Sequence, residues 1–191
     1  MDKPDLPILE LKPASQWRKW LDKNHSKSNG AWLMLFKKSS GVATLSHSTA
    51  LEEALCYGWI DGQAKGFDEQ SWLQKFTPRR PRSIWSKKNI EHVQRLIKEG
   101  KMQPAGLKEI EAAKHDGRWD RAYDSPTNMQ VPDDFLNALS KNKKAKAFFD
   151  TLNRTNTFSI GWRLQTAKKP ETREKRIKEI IAMLEEGKKF H

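Results

Sequence analysis

Apolar residues recur with two different periods along the chain, and the period changes near residue 83. The nearly unbroken apolar run AWLMLFKK (31–38) predicts a central β-strand. Two further runs, WIDGQAKGF (59–67) and SWLQKFTP (71–78), are joined by the polar segment 68–70 and predict a β-hairpin. After residue 83 the apolar residues recur about every 3.6 positions, which indicates helices.

Two helices and an edge strand are predicted in the first part of the chain. The short apolar segment 7–11 predicts a strand at the edge of the sheet. Ser15 is a candidate N-cap of the first helix, since its hydroxyl can accept from the free amides of a first turn. Ser46 or Ser48 can cap the second helix, and Gly58 occupies a position where a glycine ends a helix.

The remaining chain predicts further helices and one linker. The stripe of the helix that ends at Gly100 consists of four residues, Ile90, Val93, Leu96 and Ile97. Pro104 opens the next helix, with Leu107 and Ile110 facing inward. The polar, turn-rich segment 118–132 predicts a linker, and helical periodicity resumes after it.

These elements predict an α+β fold, in which a small antiparallel sheet packed with helices is followed by a helical C-terminal region. We assign residues 1–125 to an α+β N-terminal domain and residues 126–191 to a helical C-terminal domain.

The composition adds a strong positive charge. Lys and Arg number 36 against 24 Asp and Glu, a net charge of +12 over 191 residues. Such a charge favours contact with nucleic acid, anionic lipid or acidic small molecules. Its alternative meaning is that surplus lysine only keeps the protein soluble.

Cysteine and histidine usage predicts neither a disulfide nor a metal site. Cys56 is the single cysteine, and its place on a helix face predicts a buried thiol. None of the five histidines stands at ligand spacing from another histidine or from the cysteine, so no cofactor is expected. We find no secretion signal and no apolar run that could span a membrane, and we expect a cytoplasmic location.

The segment FTPRRPRSIWSKKN (76–89) carries five cations and no acidic residue. We call its residues 78–83 the basic bend. Two prolines favour a polyproline-like conformation, with Arg79 and Arg82 on one edge and Arg80 pointing elsewhere. A helix capped by Ser83 or Ser86 would add its positive end at the same place. We therefore predict anion binding by four residues, Arg79, Arg82, Ser83 and Ser86.

Two alternatives remain open for the same residues. Arginines in a turn often fasten it by stacking on an aromatic ring or pairing with a carboxylate, for which Asp61, Asp68 and Glu69 are candidates. The segment could also line an enzyme pocket with the GWIDG strand, in which Asp61 orients an arginine or acts as a base. The residues assigned to this possible pocket are Asp61, Arg80, Trp85 and Asn89. No residue receives a catalytic role.

Five segments of the sequence form a combination that is specific as a whole: GWIDG (58–62), FTPR (76–79), SIWSKKN (83–89), the Gly100/Met102/Gly106 pattern and RLQTAKKPETREKRI (163–177). Together they resemble the YdeI/OmpD-associated, or bacteriocin-protection, family. The resemblance runs from about Ser15 to the end of the sequence. It implies a cytoplasmic bacterial protein linked to tolerance of antimicrobial peptides or envelope stress, with a helical domain from about Pro132 onward. It implies no reaction and no catalytic residue.

We therefore predict a non-enzymatic protein that binds an anionic ligand, either a nucleic acid, a nucleotide, a phosphorylated small molecule or an acidic partner, through the basic bend. The alternative is a small-molecule enzyme with a pocket between the GWIDG strand and the bend. A closed pocket holding Asp61 with Arg79 would favour the enzyme, and an open basic groove would favour polyanion binding.

Overall fold

The computed structural model describes residues 6–191 and divides into two compact units. The first unit consists of the chain up to Trp85 together with residues 89–121. The second consists of Ser86–Lys88 together with Ala122–His191. The domain boundary between residues 125 and 126 stays a prediction.

A four-stranded sheet forms the centre of the first unit, as the hydrophobic pattern predicts. Its spatial order is β1-β2-β4-β3. The predicted antiparallel pairing holds for β2, β4 and β3, whereas the short β1 pairs parallel to β2. The strands are β1 (Ile8–Leu9), β2 (Ala31–Phe36), β3 (Trp59–Gly66) and β4 (Ser71–Pro78). The apolar run of β2 is explained by its central place, between β1 and β4.

The pairing register assigns each side chain to one of two sheet faces. Ala31 lies opposite Phe76, and the ring of Phe76 packs 5.5 Å from that of Trp17, which belongs to helix α1 (Ala14–Asn24). Side chains alternate along a strand, so Trp32 and its partner Lys75 lie on the opposite face. We call the face that carries Trp32 and Lys75 the second sheet face.

Helix ends in the first unit follow local chemistry. Helix α2 (His47–Cys56) is capped by Ser46, whose Oγ accepts from the Thr49 amide, so one of the two proposed caps is confirmed. Gly58 follows it with a φ of 73°, as expected at a helix end. The prediction for Ser15 is wrong: it lies inside α1, because the helix starts at Ala14 with Pro13 at the N-cap position and without a side-chain cap.

Two further helices bury only part of the apolar faces that the sequence predicts for them. They are α3 (Lys87–Lys98) and α4 (Pro104–His115). Val93, Leu96 and Ile110 are buried as predicted, but Ile97 is 43% and Leu107 is 41% exposed. Ile97 follows Leu96 by about 100° around the helix axis, which carries it past the narrow stripe that packs.

The second unit is helical, which confirms the predicted α+β fold with a helical C-terminal region. Its helices are α5 (Asp133–Leu139), α6 (Lys143–Phe149), α7 (Arg154–Gln165) and α8 (Pro170–Glu185). They share a core of buried apolar residues, Phe135, Leu139, Ala145, Ile160, Leu164, Ile180 and Leu184. The side chains of Asn142 and Asn153 cap α6 and α7 by accepting hydrogen bonds from backbone amides of the first turn.

Arg173 joins three helices of the second unit. Its Nε and Nη2 donate to the Asp134 carboxylate on α5 at 2.6 and 2.8 Å, and its Nη1 donates to the Leu164 carbonyl on α7 at 2.7 Å. Charge-assisted, two-pronged contacts of this kind are stronger than single hydrogen bonds between neutral groups.

The short segment Ser86–Lys88 belongs to the second unit although it stands far from the rest of it in sequence. Ser86 forms an isolated parallel bridge with Tyr123. The Lys87 amide donates to the Tyr123 carbonyl at 2.9 Å, and its Nζ lies 2.7 Å from Asp124. The Asp124 carboxylate also accepts from the Gln165 amide at 2.6 Å.

Candidate anion-binding groove

The basic bend is a tight turn rather than a polyproline-like segment. The Ser83 amide donates to the Arg80 carbonyl at 3.0 Å, and Arg82 has a φ of 68°. Pro81 thus occupies the second position of a four-residue turn and Arg82 the third, where a type II turn requires a positive φ. The prediction that Arg79 and Arg82 share one edge is wrong, because the turn reverses the chain between them.

Arg79 is buried and stabilises the bend from inside. Its side chain is 6% exposed, and the guanidinium carbon lies 3.7 Å from the centroid of the Trp85 ring. Its Nη1 lies 3.5 Å from Ser83 Oγ and 3.4 Å from the Ile84 carbonyl. The stacking on Trp85 corresponds to the fastening alternative considered above.

A second arginine, Arg118, holds the bend in place, and a carboxylate that the sequence did not indicate orients this arginine. Arg118 is buried, and its Nη1 donates to the Ser83 carbonyl at 2.9 Å. Its Nε contacts both oxygens of Asp116, at 2.8 and 2.7 Å. The ring of Trp119, next in sequence to Arg118, packs 5.3 Å from that of Trp85.

An open groove of about 540 Å³ runs between the hairpin and the basic bend. Its lining includes three cations and no carboxylate. The lining residues are Ile60, Gly62, Gln63, Lys75, Thr77, Pro78, Arg80, Pro81, Arg82 and Ser83. Arg80 and Arg82 are exposed, Ser83 is half-buried, and no carboxylate among residues 6–191 forms an ion pair with either arginine.

The hairpin supplies the wall that faces the bend. Lys75 and Thr77 project from the second sheet face of β4. The β3–β4 register shifts between Asp61 and Ala64, and the Gln74 amide fixes this bulge by donating to the Gly62 carbonyl at 2.9 Å. Sequence reasoning missed Lys75, although the alternation along β4 would have placed it on the same face as Thr77.

Asp61 does not line the groove. It pairs with Phe76 in the register, and its Oδ2 lies 3.2 Å from Nε2 of His47, at the start of α2. The His47 ring packs 6.0 Å from Trp72, beside a separate cavity of about 450 Å³. Asp61 therefore does not pair with an arginine of the bend, which was one of the alternatives left open by the sequence, because the strand turns its carboxylate to the helix side of the sheet.

The remaining predicted residues also lie outside the groove lining. Trp85 is buried beneath Arg79, and Asn89 is half-buried in the first turn of α3. Ser86 is buried and belongs to the second unit, where it bridges Tyr123. The structure therefore brings together only Arg80, Arg82 and Ser83 of the predicted site, and it adds Lys75.

Among residues 6–191, no group of three or more His, Cys, Asp or Glu side chains is placed to hold a metal ion. No helix in that range combines the length and the apolar composition that crossing a membrane requires.

The chain thus combines two units: an α+β unit that carries a basic surface groove, and a helical unit. The chain belongs to the family described as Domain of unknown function (DUF8412), whose model matches residues 9–109, more than half of the 191 residues. Residues 128–187 match a second family model, described as Bacteriocin-protection, YdeI or OmpD-Associated. No curated protein and no solved structure matches the chain.

The resemblance to the YdeI/OmpD-associated family is thus confirmed, but only for the C-terminal part. The segment RLQTAKKPETREKRI lies within residues 128–187. The segments GWIDG, FTPR and SIWSKKN lie within the other match, so the resemblance does not extend back to Ser15.

Proposed function

We propose that the protein is a non-enzymatic, cytoplasmic protein of the bacteriocin-protection type, and that it binds an anionic ligand in the groove beside the basic bend. The match of residues 128–187 supports the protein type. The groove of the first unit supports the kind of ligand, which could be a nucleic acid, a nucleotide, a phosphorylated small molecule or an acidic partner.

One observation carries this proposal: Lys75, Arg80 and Arg82 line one open groove without a neutralising carboxylate. Three other arginines of the first unit pair with carboxylates: Arg18 with Glu53 at 2.7 Å, Arg95 with Glu52 at 2.6 Å and Arg118 with Asp116 at 2.7 Å. Cations that face one cavity without counter-charges produce a positive potential there, which attracts anions. Arginine also suits the planar recognition of phosphate and carboxylate.

The test uses inorganic polyphosphate as the probe and the variant Arg80→Ala/Arg82→Ala. We expect the affinity to fall at least about tenfold and its dependence on salt to weaken, because charged contacts and their released counter-ions are lost. Both side chains are exposed, so the free energy of unfolding should change by no more than about 0.5 kcal/mol for each substitution.

The matched control is Lys98→Ala/Lys108→Ala, which removes the same charge from exposed positions on α3 and α4. This control should retain nearly the parental affinity. An equal loss in both variants would mean that only net charge matters, and unchanged binding in the arginine variant would reject the groove as the site.

The enzymatic alternative ranks second on the geometry of the groove. A general base must lie within hydrogen-bond reach of the group it deprotonates. The groove lining contains no carboxylate and no histidine, and Asp61 contacts His47 on the other side of the sheet. Binding needs only the cations that line the groove.

The link to peptide tolerance rests on the match of residues 128–187 alone, and the cytoplasmic location stays an expectation from the sequence. A bacterial strain that expresses the parent protein should survive antimicrobial peptide better than one that expresses Arg80→Ala/Arg82→Ala at the same level. Cell fractionation should recover both proteins in the cytosol. Equal survival of the two strains would separate the groove from any role in tolerance.

A further inference from the structure

The groove leads onto an aromatic residue of the second sheet face. Trp32 is half-buried in β2, and its ring is approached by lysines from both hairpin strands. The Nζ of Lys65 lies 4.6 Å and that of Lys75 5.7 Å from the ring centroid. Lys75 also lines the groove, so one side chain is shared by the groove and the tryptophan surface.

The second sheet face continues the positive character of the groove. The register places Lys65 opposite Leu73 and Ile60 opposite Thr77, all on this face. Neither β2 nor β4 contains an acidic residue, and the single acidic residue of β3, Asp61, lies on the opposite face. Cations therefore follow one another from the bend, through Lys75, to Lys65, with an aromatic ring beneath the last two.

From this arrangement we propose that the anionic ligand is single-stranded nucleic acid, and that one of its bases stacks on Trp32. The inference rests on the proposed function and names its ligand. Proteins that bind single strands combine a cationic groove, which follows the phosphates, with aromatic rings on which the bases stack. In a duplex the bases are already stacked on one another, so the exposed bases of a single strand are what this ring fits.

The two lysines have a defined role in this mode of binding. Their flexible stems now hold the ammonium groups over the Trp32 ring. In the complex each ammonium moves from the ring to a neighbouring phosphate, which uncovers the ring for a base. The charge of Lys65 and Lys75 is thereby used for the backbone, and the ring supplies the preference for a ligand with bases.

The experiment compares labelled oligothymidylate of about 12 nucleotides, within the usual site size, with polyphosphate of the same charge and with the matching DNA duplex. Trp32→Leu should weaken oligothymidylate binding by about 5- to 150-fold, the range expected for one stacked base. It should leave polyphosphate binding unchanged, which also shows that the groove is still folded. Trp32→Phe keeps a ring and should bind oligothymidylate within a few-fold of the parent.

The results with the three probes distinguish a failure of this inference from a failure of the proposed function. If polyphosphate and oligothymidylate bind alike and Trp32→Leu affects neither, single-strand recognition is rejected while anion binding stands. An equal loss for both probes would make Trp32 a structural residue and also reject the inference. Tighter binding of the duplex than of oligothymidylate would identify a different partner and reject the inference. If no probe binds, the proposed function fails as well.

Discussion

Arg82 combines an exposed charge with a backbone conformation that non-glycine residues rarely adopt. Its φ of 68° makes it the one non-glycine residue with positive φ in residues 6–191. Arg82→Gly should therefore raise the free energy of unfolding by about 0.5–1 kcal/mol, because glycine adopts this conformation without a steric cost. The same change should weaken polyphosphate binding. Chemical denaturation and titration of one sample measure both effects.

The control for this prediction is Arg80→Gly, which removes a neighbouring arginine at a position without positive φ. It should weaken polyphosphate binding without raising stability. A loss of stability in Arg82→Gly would show that the arginine side chain itself supports the turn.

Arg79 and Arg80 are neighbours in sequence with different expected roles. Arg79 is stacked on Trp85 and 6% exposed, so Arg79→Ala should lower the free energy of unfolding by about 2 kcal/mol. Arg80→Ala should leave stability nearly unchanged and lower only the affinity for anions. Thermal melting and polyphosphate titration distinguish the two. If Arg79→Ala kept the melting temperature of the parent but bound polyphosphate more weakly, Arg79 would be a ligand-binding residue, as the sequence predicts.

Cys56 is expected to react slowly in the native protein. Its side chain is 1% exposed, and burial, followed by the charge of Glu53, raises the pKa of the thiol. A raised pKa leaves less of the reactive thiolate at neutral pH. A thiol-specific dye should therefore label the denatured protein much faster than the native one. Fast native labelling at pH 7 would contradict the burial of this helix face.

The contact between helices α5 and α8 makes the second unit sensitive to acid. The hydrogen bonds from Arg173 lower the pKa of Asp134 below its ordinary value of 3.8. A lowered carboxyl pKa adds stability above the unfolded value, and this stability is lost as the pH falls from 3.8 through the folded pKa. Asp134→Asn should lower stability at pH 7 and reduce the further loss between pH 4 and 2, measured by urea denaturation.

Asp133→Asn is the matched control for this element. It removes the same charge from the first turn of α5, but Asp133 forms no ion pair within residues 6–191. Its stability should change little at pH 7. Equal effects of the two substitutions would point to the helix dipole rather than to the arginine contact.

The periods of the apolar residues predicted the strands and helices well, because each period directly reflects which side of the element is buried. The central strand, the hairpin and the helix stop at Gly58 follow from side chains or backbone needs within a few residues. The bend could not be predicted in the same way. Its prolines suit both an extended segment and a turn, and the choice depends on distant partners, since Arg118 holds the Ser83 carbonyl from 35 residues away.

The candidate site was predictable only in part, for the same reason. Local charge identified Arg80 and Arg82, but it could not show that Arg79 is buried on Trp85. The role of Lys75 depends on which sheet face the bend meets. The position of the bend beside this sheet face depends on both the hairpin and the bend, and it cannot be predicted from the sequence of either segment alone.

At the scale of the whole molecule, the folded units and the family matches begin and end at different residues. The matches cover residues 9–109 and 128–187, whereas the second unit also includes Ser86–Lys88. We expect an isolated fragment 122–191 to melt below the same unit in the full chain. Adding Ser86–Lys88 through a flexible linker should recover part of the loss, because Lys87 then regains Asp124 and the Tyr123 carbonyl. Equal melting of both fragments would make the segment dispensable.

The place of Ser86–Lys88 also limits how this gene could exchange parts with another. A single crossover near codon 122 would transfer residues 122–191 without Ser86–Lys88, the three residues that complete the second unit. A hybrid with the full stability of this unit would need a second crossover, or a recipient whose own sequence supplies an equivalent of Lys87 for the Tyr123 carbonyl and Asp124. Inheritance of the two halves as one piece is the simpler outcome.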